Sequence, residues 1–371
     1  MNAPASGKPD GMTDLSNRTL RKALRPYIAR ANGKAVTLFL VFYAKLVVFT
    51  VLALYIDNIW LQVLFSIAAG AGISSLFVIG HDAAHSSYTS STRLDGLLGR
   101  LAMLPALHNF TLWRIVHNRM HHSDTCIQGI NSWSPLSKSE YDAAGSLRRF
   151  LERLYRTPLG LGPYYLIQRW LKEKFIPPAH LRGTKNNDQW LDLGLVLAFL
   201  AALAVAFEFA ASALDHLSYA EAWLFGFVLP FTTWNYLIGF TVYQQHTHPL
   251  VPWFRNVEDA ERTGVKQHEL SVQVLFPKWF SSISNNIMEH PAHHVNTKVP
   301  LYHLPQAQAY LNTLVGSSAV IQRFSRKAFL QVMSHCKLYD YDNQIWLGFD
   351  GQPSRVWPAE HTHEKFVENV R

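Results

Sequence analysis

The chain has 371 residues, of which 49% are hydrophobic and only 16% are charged. Disorder requires low hydrophobicity and high charge, so this composition excludes a largely disordered chain. Two cysteines also exclude a small secreted protein held together by disulfides. The net charge of +8 leaves nucleic acid and an anionic membrane surface as candidate partners.

The N-terminal segment is polar first and basic afterwards. Residues 1–17 contain Pro and Gly and are poor in aromatic residues, which predicts a flexible tail. A group of basic residues follows and leads directly into an apolar run; it consists of Arg18, Arg21, Lys22, Arg25, Arg30 and Lys34.

Four long apolar runs dominate the rest of the chain. They cover residues 35–56, 59–80, 191–214 and 222–243. Each supplies about 22 residues, enough for a helix to cross a hydrocarbon core of about 30 Å. Short turns join the first two runs and the last two, so the pattern predicts two helical hairpins and four transmembrane helices. Two weaker stretches, 94–112 and 150–175, predict helices that lie in the membrane interface.

The distribution of Lys and Arg predicts the orientation of these spans. Neither short turn, around residue 57 or around 215–219, contains Lys or Arg, whereas the N-terminal segment and residues 81–189 contain many. Positive charge marks the cytoplasmic side of a membrane. We therefore expect both termini and the long middle segment to be cytoplasmic. Topology and anionic headgroups then account for the basic surplus, so nucleic acid is not expected as a partner.

Histidine is concentrated in three clusters that follow the predicted spans. The clusters are His81 and His85; His117, His121 and His122; and His290, His293 and His294. On a helix, residues four apart share a face, so both imidazoles of such a pair can reach one metal ion. Counting the spans places all three clusters at the same cytoplasmic face. Eight histidines exceed what one ion can use, which predicts two metal ions; imidazole suits iron, zinc, copper and nickel alike.

The position of the other histidines in the chain, and of the polar residues beside the boxes, indicates the role of each. His246 ends the fourth run and is predicted as a ninth ligand, while His248 is left open. Asp82, Asn118 and Glu289 each adjoin a predicted ligand and either orient its imidazole or are solvated side chains. The remaining histidines are interpreted as ordinary polar residues: His108, His180, His216, His268, His303, His335, His361 and His363.

The three boxes, interleaved with paired apolar runs, resemble those of the integral membrane fatty acid desaturases. More narrowly, the chain resembles the acyl-lipid, methyl-end group of that family and its bacterial members. The residues that carry the resemblance outside the boxes are Trp113, Thr125, Trp133, Pro135, Asn286 to Glu289, Pro300 to Tyr302 and Cys336 to Asp340. Two departures bear on the substrate and the position of attack. Ala83 and Ala84 stand where many relatives have Cys-Gly, and Asn131 stands near a position that is often acidic.

The apolar runs and the resemblance together predict the fold and the location. We expect an all-α integral membrane protein of the bacterial inner membrane, with interfacial helices and a cytoplasmic helical cap that carries a histidine-rich site for two metals. The desaturase domain would cover residues 18–350, followed by a C-terminal tail at 351–371. Both termini and the active site would be cytoplasmic.

The resemblance also implies an activity. It is the introduction of a double bond into an acyl chain, carried on a lipid, a carrier protein or coenzyme A, with two iron ions and dioxygen as co-substrate. The chain contains no haem-binding domain and no nucleotide-binding glycine loop, and Cys126 and Cys336 are too few for an iron–sulfur cluster. Electrons are therefore expected from a separate protein such as a ferredoxin or a cytochrome.

An acyl chain needs an apolar tunnel between the spans. The candidate lining residues are Trp60, Phe77, Trp113, Trp234 and Tyr236, for which contact with lipid or packing in the core is the alternative.

Other functions fit the same boxes. A hydroxylase, an acetylenase or a carotenoid-modifying oxygenase could use the same ligands, because the outcome depends on how the substrate is placed. A haem-binding or metal-binding membrane protein is the alternative outside the enzymes. Haem transporters place paired histidines inside their spans, whereas these histidines lie just outside them.

Overall fold

The computed structural model describes residues 16–174 and 188–355, and helices dominate both parts. Most of the two predicted tails and three histidines (His180, His361 and His363) lie outside the described residues.

The first part is entirely helices and loops. Its α-helices are α1 (Asn17–Ala23), α2 (Asn32–Tyr55), α3 (Ile59–Ala84), α4 (Thr92–Met103), α5 (Phe110–Val116), α6 (Lys138–Ala143), α7 (Ser146–Tyr155) and α8 (Leu161–Tyr164). Short 3₁₀ turns occupy Arg25–Ile28, Leu104–Ala106 and Pro158–Gly160, and wider π-helical segments occupy His117–His121 and Tyr165–Lys174.

The second part adds four short strands. Its α-helices are α9 (Asp188–Ala213), α10 (Tyr219–Trp223), α11 (Leu229–His246), α12 (Val257–Thr263), α13 (Lys278–Ile283), α14 (His290–Val295), α15 (Leu304–Val315) and α16 (Arg326–His335). A π-helical segment at Leu224–Val228 joins α10 to α11, and 3₁₀ turns occupy Gln267–Leu270, Leu301–His303 and Gly316–Ser318. The strands are β1 (Val272–Leu275), β2 (Val320–Arg323), β3 (Leu338–Asp340) and β4 (Ile345–Leu347).

Three of the described helices, α2, α3 and α9, are long and apolar enough to cross a membrane. They contain three of the four predicted runs almost entirely. The fourth run, 222–243, lies in the helical segment formed by α10, the π-helical turn and α11, and α11 is not among these three helices. Its 18 residues include Asn235, Gln244 and Gln245, which are polar and buried.

The helix α3 lies at the centre of the bundle. Much of its apolar stretch is buried, whereas α2 and α9 keep most of theirs on the outside. Gly70 allows α11 to approach closely, since a β-carbon there would stand 2.5 Å from Thr233 Cβ and 2.6 Å from the Pro230 carbonyl oxygen. This close contact fixes the position of α11 relative to α3.

An ion-pair network connects α9 to the helices that precede the second histidine box. Arg100 on α4 donates from Nε to Asp192 at 2.6 Å and from a terminal nitrogen to Asp188 at 3.0 Å. The second carboxylate oxygen of Asp192 accepts from the Thr111 backbone N–H at 2.6 Å. This network fixes the start of α5.

The fold is mostly helical, as the sequence predicts, but it also contains four short strands. The prediction of an all-α fold is corrected on this point. Strands β1 and β2 pair in parallel, with Val272 opposite Val320, and β3 and β4 pair antiparallel, with Leu338 opposite Leu347. Both sheets have two strands and occur after the last long helix, where short segments rich in β-branched residues, such as 272–275, form strands.

Candidate metal centre

The structure brings together all nine histidines that the sequence predicts as ligands. They form two groups, and within each group the ligand nitrogens all lie within 4.8 Å of one another. The five-histidine group consists of His81, His85, His117, His122 and His293. The four-histidine group consists of His121, His246, His290 and His294.

The first box follows the predicted helical spacing. His81 lies in the last turn of α3, and His85 caps its C-terminus. Their ring centroids are 4.8 Å apart, and both belong to the five-histidine group. The spacing of four residues therefore places both imidazoles on one side of the helix end.

The second box departs from the predicted spacing. Residues His117–His121 form a π-helical turn, in which the His122 N–H donates to the His117 carbonyl oxygen at 3.4 Å. This wider turn places His117 and His122, five residues apart, in the same group, while His121 joins the other group. The helical spacing therefore does not hold here, and His117 and His121 lie in different groups, although their rings still stack at 4.9 Å.

The third box divides in the same way. His290 and His294, four residues apart on α14, belong to the four-histidine group, and His293 belongs to the five-histidine group. Two pairs of consecutive histidines are thus divided between the groups. His121 and His122 form one pair, His293 and His294 form the other, and each pair contributes one imidazole to each group.

His246 joins the four-histidine group from the end of α11, as the sequence predicts. Its Nδ1 lies 2.9 Å from the Leu270 carbonyl oxygen, which only accepts, so Nδ1 carries the proton and Nε2 carries the lone pair. That Nε2 lies 3.0 Å from His290 Nε2. His248, left open by the sequence, lies outside both groups and accepts at Nδ1 from the Leu250 N–H at 3.1 Å.

The spacing of the nitrogens fits shared metal ions. His122 Nε2 lies 3.0 Å from His117 Nε2 and 3.2 Å from His293 Nε2. In the other group, His290 Nε2 lies 3.0 Å from His294 Nε2. Two nitrogens bound at about 2.1 Å to one ion would lie about 3.0–3.4 Å apart. A nitrogen that faces two others cannot donate a proton to both, whereas a metal ion satisfies all three lone pairs.

Burial keeps these imidazoles neutral. Desolvation lowers the pKa of His117, His122 and His290 well below its usual range, and neighbouring imidazoles lower it further. The same holds for His293 and His294. Metal ions bind the neutral form, so the centre is prepared for binding without first releasing protons.

Of the three neighbours that the sequence singled out, one contacts an imidazole. Asp82 is fully buried; one carboxylate oxygen lies 3.2 Å from His81 Nδ1, and the other accepts from the Leu301 N–H at 2.5 Å. Asn118 instead donates to the Ala84 carbonyl oxygen at 3.2 Å, and Glu289 accepts from Gln273 at 2.6 Å. Asp82 is therefore positioned to orient His81.

Two further contacts were not predicted as such. Thr125 Oγ1 lies 3.4 Å from His294 Nδ1 and donates to the His121 carbonyl oxygen at 2.8 Å. The Asn131 amide nitrogen lies 3.3 Å from His121 Nδ1, while its oxygen accepts from the Ile127 N–H at 2.9 Å. The sequence noted both residues only as features of the resemblance. The sequence feature that points to them is a polar residue within ten positions of the second box, and the structure shows that both are buried.

The other described histidines are outside both groups and have other contacts. His108 lies 3.5 Å from the Tyr165 hydroxyl, His216 lies 3.2 Å from the Leu54 carbonyl oxygen, and His268 lies 2.8 Å from the Ser318 hydroxyl. His335 lies 2.9 Å from the Gln331 carbonyl oxygen, and His303 is only partly buried. Their interpretation as ordinary polar residues agrees with these positions.

A cavity of about 80 Å³ opens onto both histidine groups. It lies between α3, α5, α11 and the Tyr165–Lys174 segment, and His81, His117, His121 and His290 form part of its wall. Its apolar lining includes Phe77, Val78, Trp113, Ile238, Val242 and Ile287. An alkyl group in this space would contact hydrocarbon side chains on one side and the imidazoles on the other.

The cavity corrects the predicted tunnel lining. Phe77 and Trp113 line it, and Trp234 stands behind Phe77 with ring centroids 5.5 Å apart. Trp60 is 80% exposed and Tyr236 is 39% exposed, so neither lines it. Both face outward, the alternative that the sequence left open.

Comparison with known proteins identifies the family. The family model for fatty acid desaturases matches residues 58–325, which contain all nine histidines. This chain belongs to the fatty acid desaturase family. The resemblance inferred from the histidine boxes is thereby confirmed.

Relatives within the desaturase family come from plants and cyanobacteria. An omega-6 fatty acid desaturase of Brassica napus chloroplasts is 24% identical over 81% of this chain and 64% of its own length. An sn-1 oleoyl-lipid 12-desaturase of Picosynechococcus is 26% identical over 74% of this chain and 76% of its own. An sn-1 acyl-lipid omega-3 desaturase (ferredoxin) of Synechocystis is 28% identical over 83% of this chain and 82% of its own. The chain spans less than two thirds of the plant desaturases that it matches.

Proposed function

We propose that the protein is a membrane-bound fatty acyl desaturase that uses dioxygen and a di-iron centre to introduce a double bond into an acyl chain. The observation that carries this proposal is the cavity, whose apolar wall ends at imidazoles of both histidine groups. Membership of the desaturase family and the names of the relatives support it. Among residues 16–174 and 188–355, no specific contact favours a hydroxylase, an acetylenase or a carotenoid-modifying oxygenase.

The nine histidines are proposed as the iron ligands. His81, His85, His117, His122 and His293 would hold one ion, and His121, His246, His290 and His294 would hold the other. When bound, the two irons supply the oxidant that an unactivated methylene requires, since no side chain is strong enough. Neutral nitrogen ligands suit both iron and zinc. Iron can also gain and lose electrons, which zinc cannot do, so the proposed reaction requires iron.

The chain's own part is to bind, orient and exclude water. Phe77, Ile238 and Val242 would hold two adjacent methylenes beside the imidazole wall and keep bulk water away from them. Asp82 would hold His81 in the tautomer that presents Nε2 to the metal. The depth of the acyl chain in this cavity would select the carbon atoms that react.

The substrate class and the electron source follow from the chemistry and the relatives. We propose an acyl chain carried on a membrane lipid, as the names of the cyanobacterial relatives indicate for those proteins. Reducing dioxygen to two waters takes four electrons. Two come from the carbon–hydrogen bonds and two must come from a donor. A ferredoxin that delivers one electron at a time is the proposed donor, because the Synechocystis relative carries that word in its name.

The finer topology is also a proposal. We propose that the segment from α10 to α11 is a fourth span beside α2, α3 and α9, and that stretches 94–112 and 150–175 lie in the interface. Residues 18–350 would form one desaturase domain with a helical cap in the cytoplasm of a bacterium, between tails at 1–17 and 351–371. The Lys and Arg distribution supports this orientation.

The decisive experiment is expression in a host that lacks polyunsaturated acyl chains, followed by analysis of fatty acid methyl esters. We expect a product that has lost two hydrogens relative to a host acyl chain. Replacing His122 or His290 by Ala should abolish the product and lower the iron content. His216→Ala is the matched control, because His216 contacts the Leu54 carbonyl and lies in neither group.

Two results would contradict the proposal. A product that gains oxygen instead of losing hydrogen would make the protein a hydroxylase. Purified protein with zinc in place of iron, and activity that persists without dioxygen, would exclude the di-iron oxidase, because zinc cannot reduce dioxygen.

A further inference from the structure

A surface rich in positive charge lies beside the third histidine box. Its exposed residues are Arg18, Arg21, Lys22, Arg25, Arg30 and Lys34, and we call residues 16–34 the basic segment. Between Ser16 and Ile56 the sequence contains no Asp or Glu, so no acidic residue of that stretch neutralises these charges.

The basic segment is held against the metal-bearing part of the protein. Leu20 and Leu24 are fully buried, which turns the charged side of α1 outward. The Asn296 side chain, just after α14, donates to the Arg21 carbonyl oxygen at 3.2 Å. The Asn17 side chain accepts from the Gln267 N–H at 2.9 Å. The helix α1 therefore lies beside α14, the helix that carries His290, His293 and His294.

A half-buried lysine connects this surface to the five-histidine group. Lys298 Nζ donates to the carbonyl oxygen of His85. The Lys298 backbone N–H donates to the Asn296 side chain at 3.1 Å, and the same side chain donates to the Arg21 carbonyl oxygen at 3.2 Å. The positive charges are thus concentrated where the surface comes close to His85.

We propose that the basic segment, together with Lys298, is the docking surface for an acidic one-electron carrier protein of the ferredoxin class. The proposal rests on the proposed function, which requires electrons from outside the chain. Opposite charges accelerate encounter and orient the partners before short-range contacts form. A carrier docked here would stand over the contact between Lys298 and His85, beside the five-histidine group.

An anionic bilayer would also attract these charges, because α2 begins at Asn32 and is a candidate span. The position of α1 against α14 favours the carrier protein. Its charges lie beside the third histidine box in addition to preceding the span. The experiment must therefore remove anionic lipid from the comparison.

The test measures the binding of a plant-type ferredoxin to the full-length protein in nanodiscs of uncharged phosphatidylcholine. The variant is Arg21→Glu with Lys22→Glu. The control is Arg326→Glu with Lys327→Glu on α16, which are equally exposed and change the net charge by the same amount. At low salt we expect the first variant to bind about tenfold or more weakly and the control to bind as the unaltered protein does, with the difference disappearing at high salt.

A second measurement separates docking from chemistry. When the protein is first reduced with dithionite, freed of the excess and then mixed with dioxygen, Arg21→Glu with Lys22→Glu should form product in a single turnover at the same rate as the unaltered protein. With ferredoxin as the electron source, the variant should be slower. Arg25→Glu alone should show a smaller loss of binding, which guards against a fold defect in the double variant. Equal ferredoxin affinity in variant and unaltered protein would overturn the proposal and leave the surface to lipid headgroups. Absence of product when the dithionite-reduced unaltered protein is mixed with dioxygen would instead refute the proposed function, since ferredoxin binding is measured independently.

Discussion

The nine imidazoles of the centre differ in what holds their second nitrogen. His246 donates to a backbone carbonyl, whereas His81 meets the carboxylate of Asp82. A carboxylate is the stronger acceptor, and it makes the imidazole a better electron donor to a metal. Asp82 also accepts the Leu301 N–H, so one buried side chain links the first box to the loop after the third.

We expect Asp82→Asn to weaken iron binding by about 10- to 100-fold, as is usual when the partner of a ligating histidine is lost. The amide keeps the size of the side chain but removes the charge that faces His81. The measurement is the rate at which a chelator removes iron from the purified protein, which does not depend on turnover.

Asp95→Asn is the matched control for that measurement. Asp95 is also buried, but it accepts from the Thr89 N–H at 2.7 Å and lies in neither histidine group. If both variants lose iron at the rate of the unaltered protein, Asp82 has no role in holding the metal.

At the scale of single elements, the π-helical turn at His117–His121 decides how the second box is shared. Residue type and clustering select eight of the nine grouped histidines from the sequence, and the ninth, His246, is selected by its position at the end of the fourth run. Their division between the groups was not predictable, because the expected spacing assumes 3.6 residues per turn and a π-helical turn is wider. Asn118, bonded to the Ala84 carbonyl, ties this turn to the end of α3.

The packing of α3 against α11 gives a second prediction. Gly70→Ala would place a methyl group 2.5 Å from Thr233 Cβ and 2.6 Å from a backbone oxygen, so the two helices must move apart. We expect a loss of about 1–3 kcal/mol of stability and a lower iron content, because α3 carries His81 and α11 carries His246. Thermal unfolding in nanodiscs, followed by tryptophan fluorescence, measures the first effect, and metal analysis measures the second.

Gly194→Ala on α9 is the control for helix propensity. Apart from its own helix backbone and chain neighbours, no described residue has an atom within 4 Å of the position of its β-carbon, so this change should be neutral or slightly stabilising. Equal unfolding midpoints for the two variants would show that the close approach at Gly70 does not matter for stability.

For the whole molecule, the apolar runs match the three long helices nearly to their ends. The fourth run instead falls on a helical segment that a π-helical turn interrupts. Runs 35–56, 59–80 and 191–214 are apolar throughout, and such runs are what a bilayer requires. The fourth segment carries Asn235 and Gln245, which bond to the Phe231 and Ile287 carbonyls. The Asn235 bond stays within the helix, whereas the Gln245 bond depends on a neighbour 42 positions away in the sequence. The same limit hid the sheet of β1 and β2, whose strands pair residues about 50 positions apart.

The proposed orientation can be tested by labelling single cysteines in intact cells. We expect Asp57→Cys and Asp215→Cys to react with a reagent that does not cross the membrane, and Ser139→Cys to be protected. All three positions are exposed, and Cys126 and Cys336 are buried, so native thiols should contribute little background. Labelling of Ser139→Cys from outside, with the other two protected, would reverse the orientation.

The division of neighbouring histidines between the two groups has a mechanical consequence. His121 and His122, and likewise His293 and His294, are joined by single peptide bonds and serve opposite groups. The distance between the groups is therefore set mainly by covalent geometry, which is far stiffer than helix packing. Lipid bilayers change thickness with temperature and composition, and the long helices must tilt or shift in response. The two halves of the centre would keep their separation through such changes, because both pairs act as rigid spacers between them.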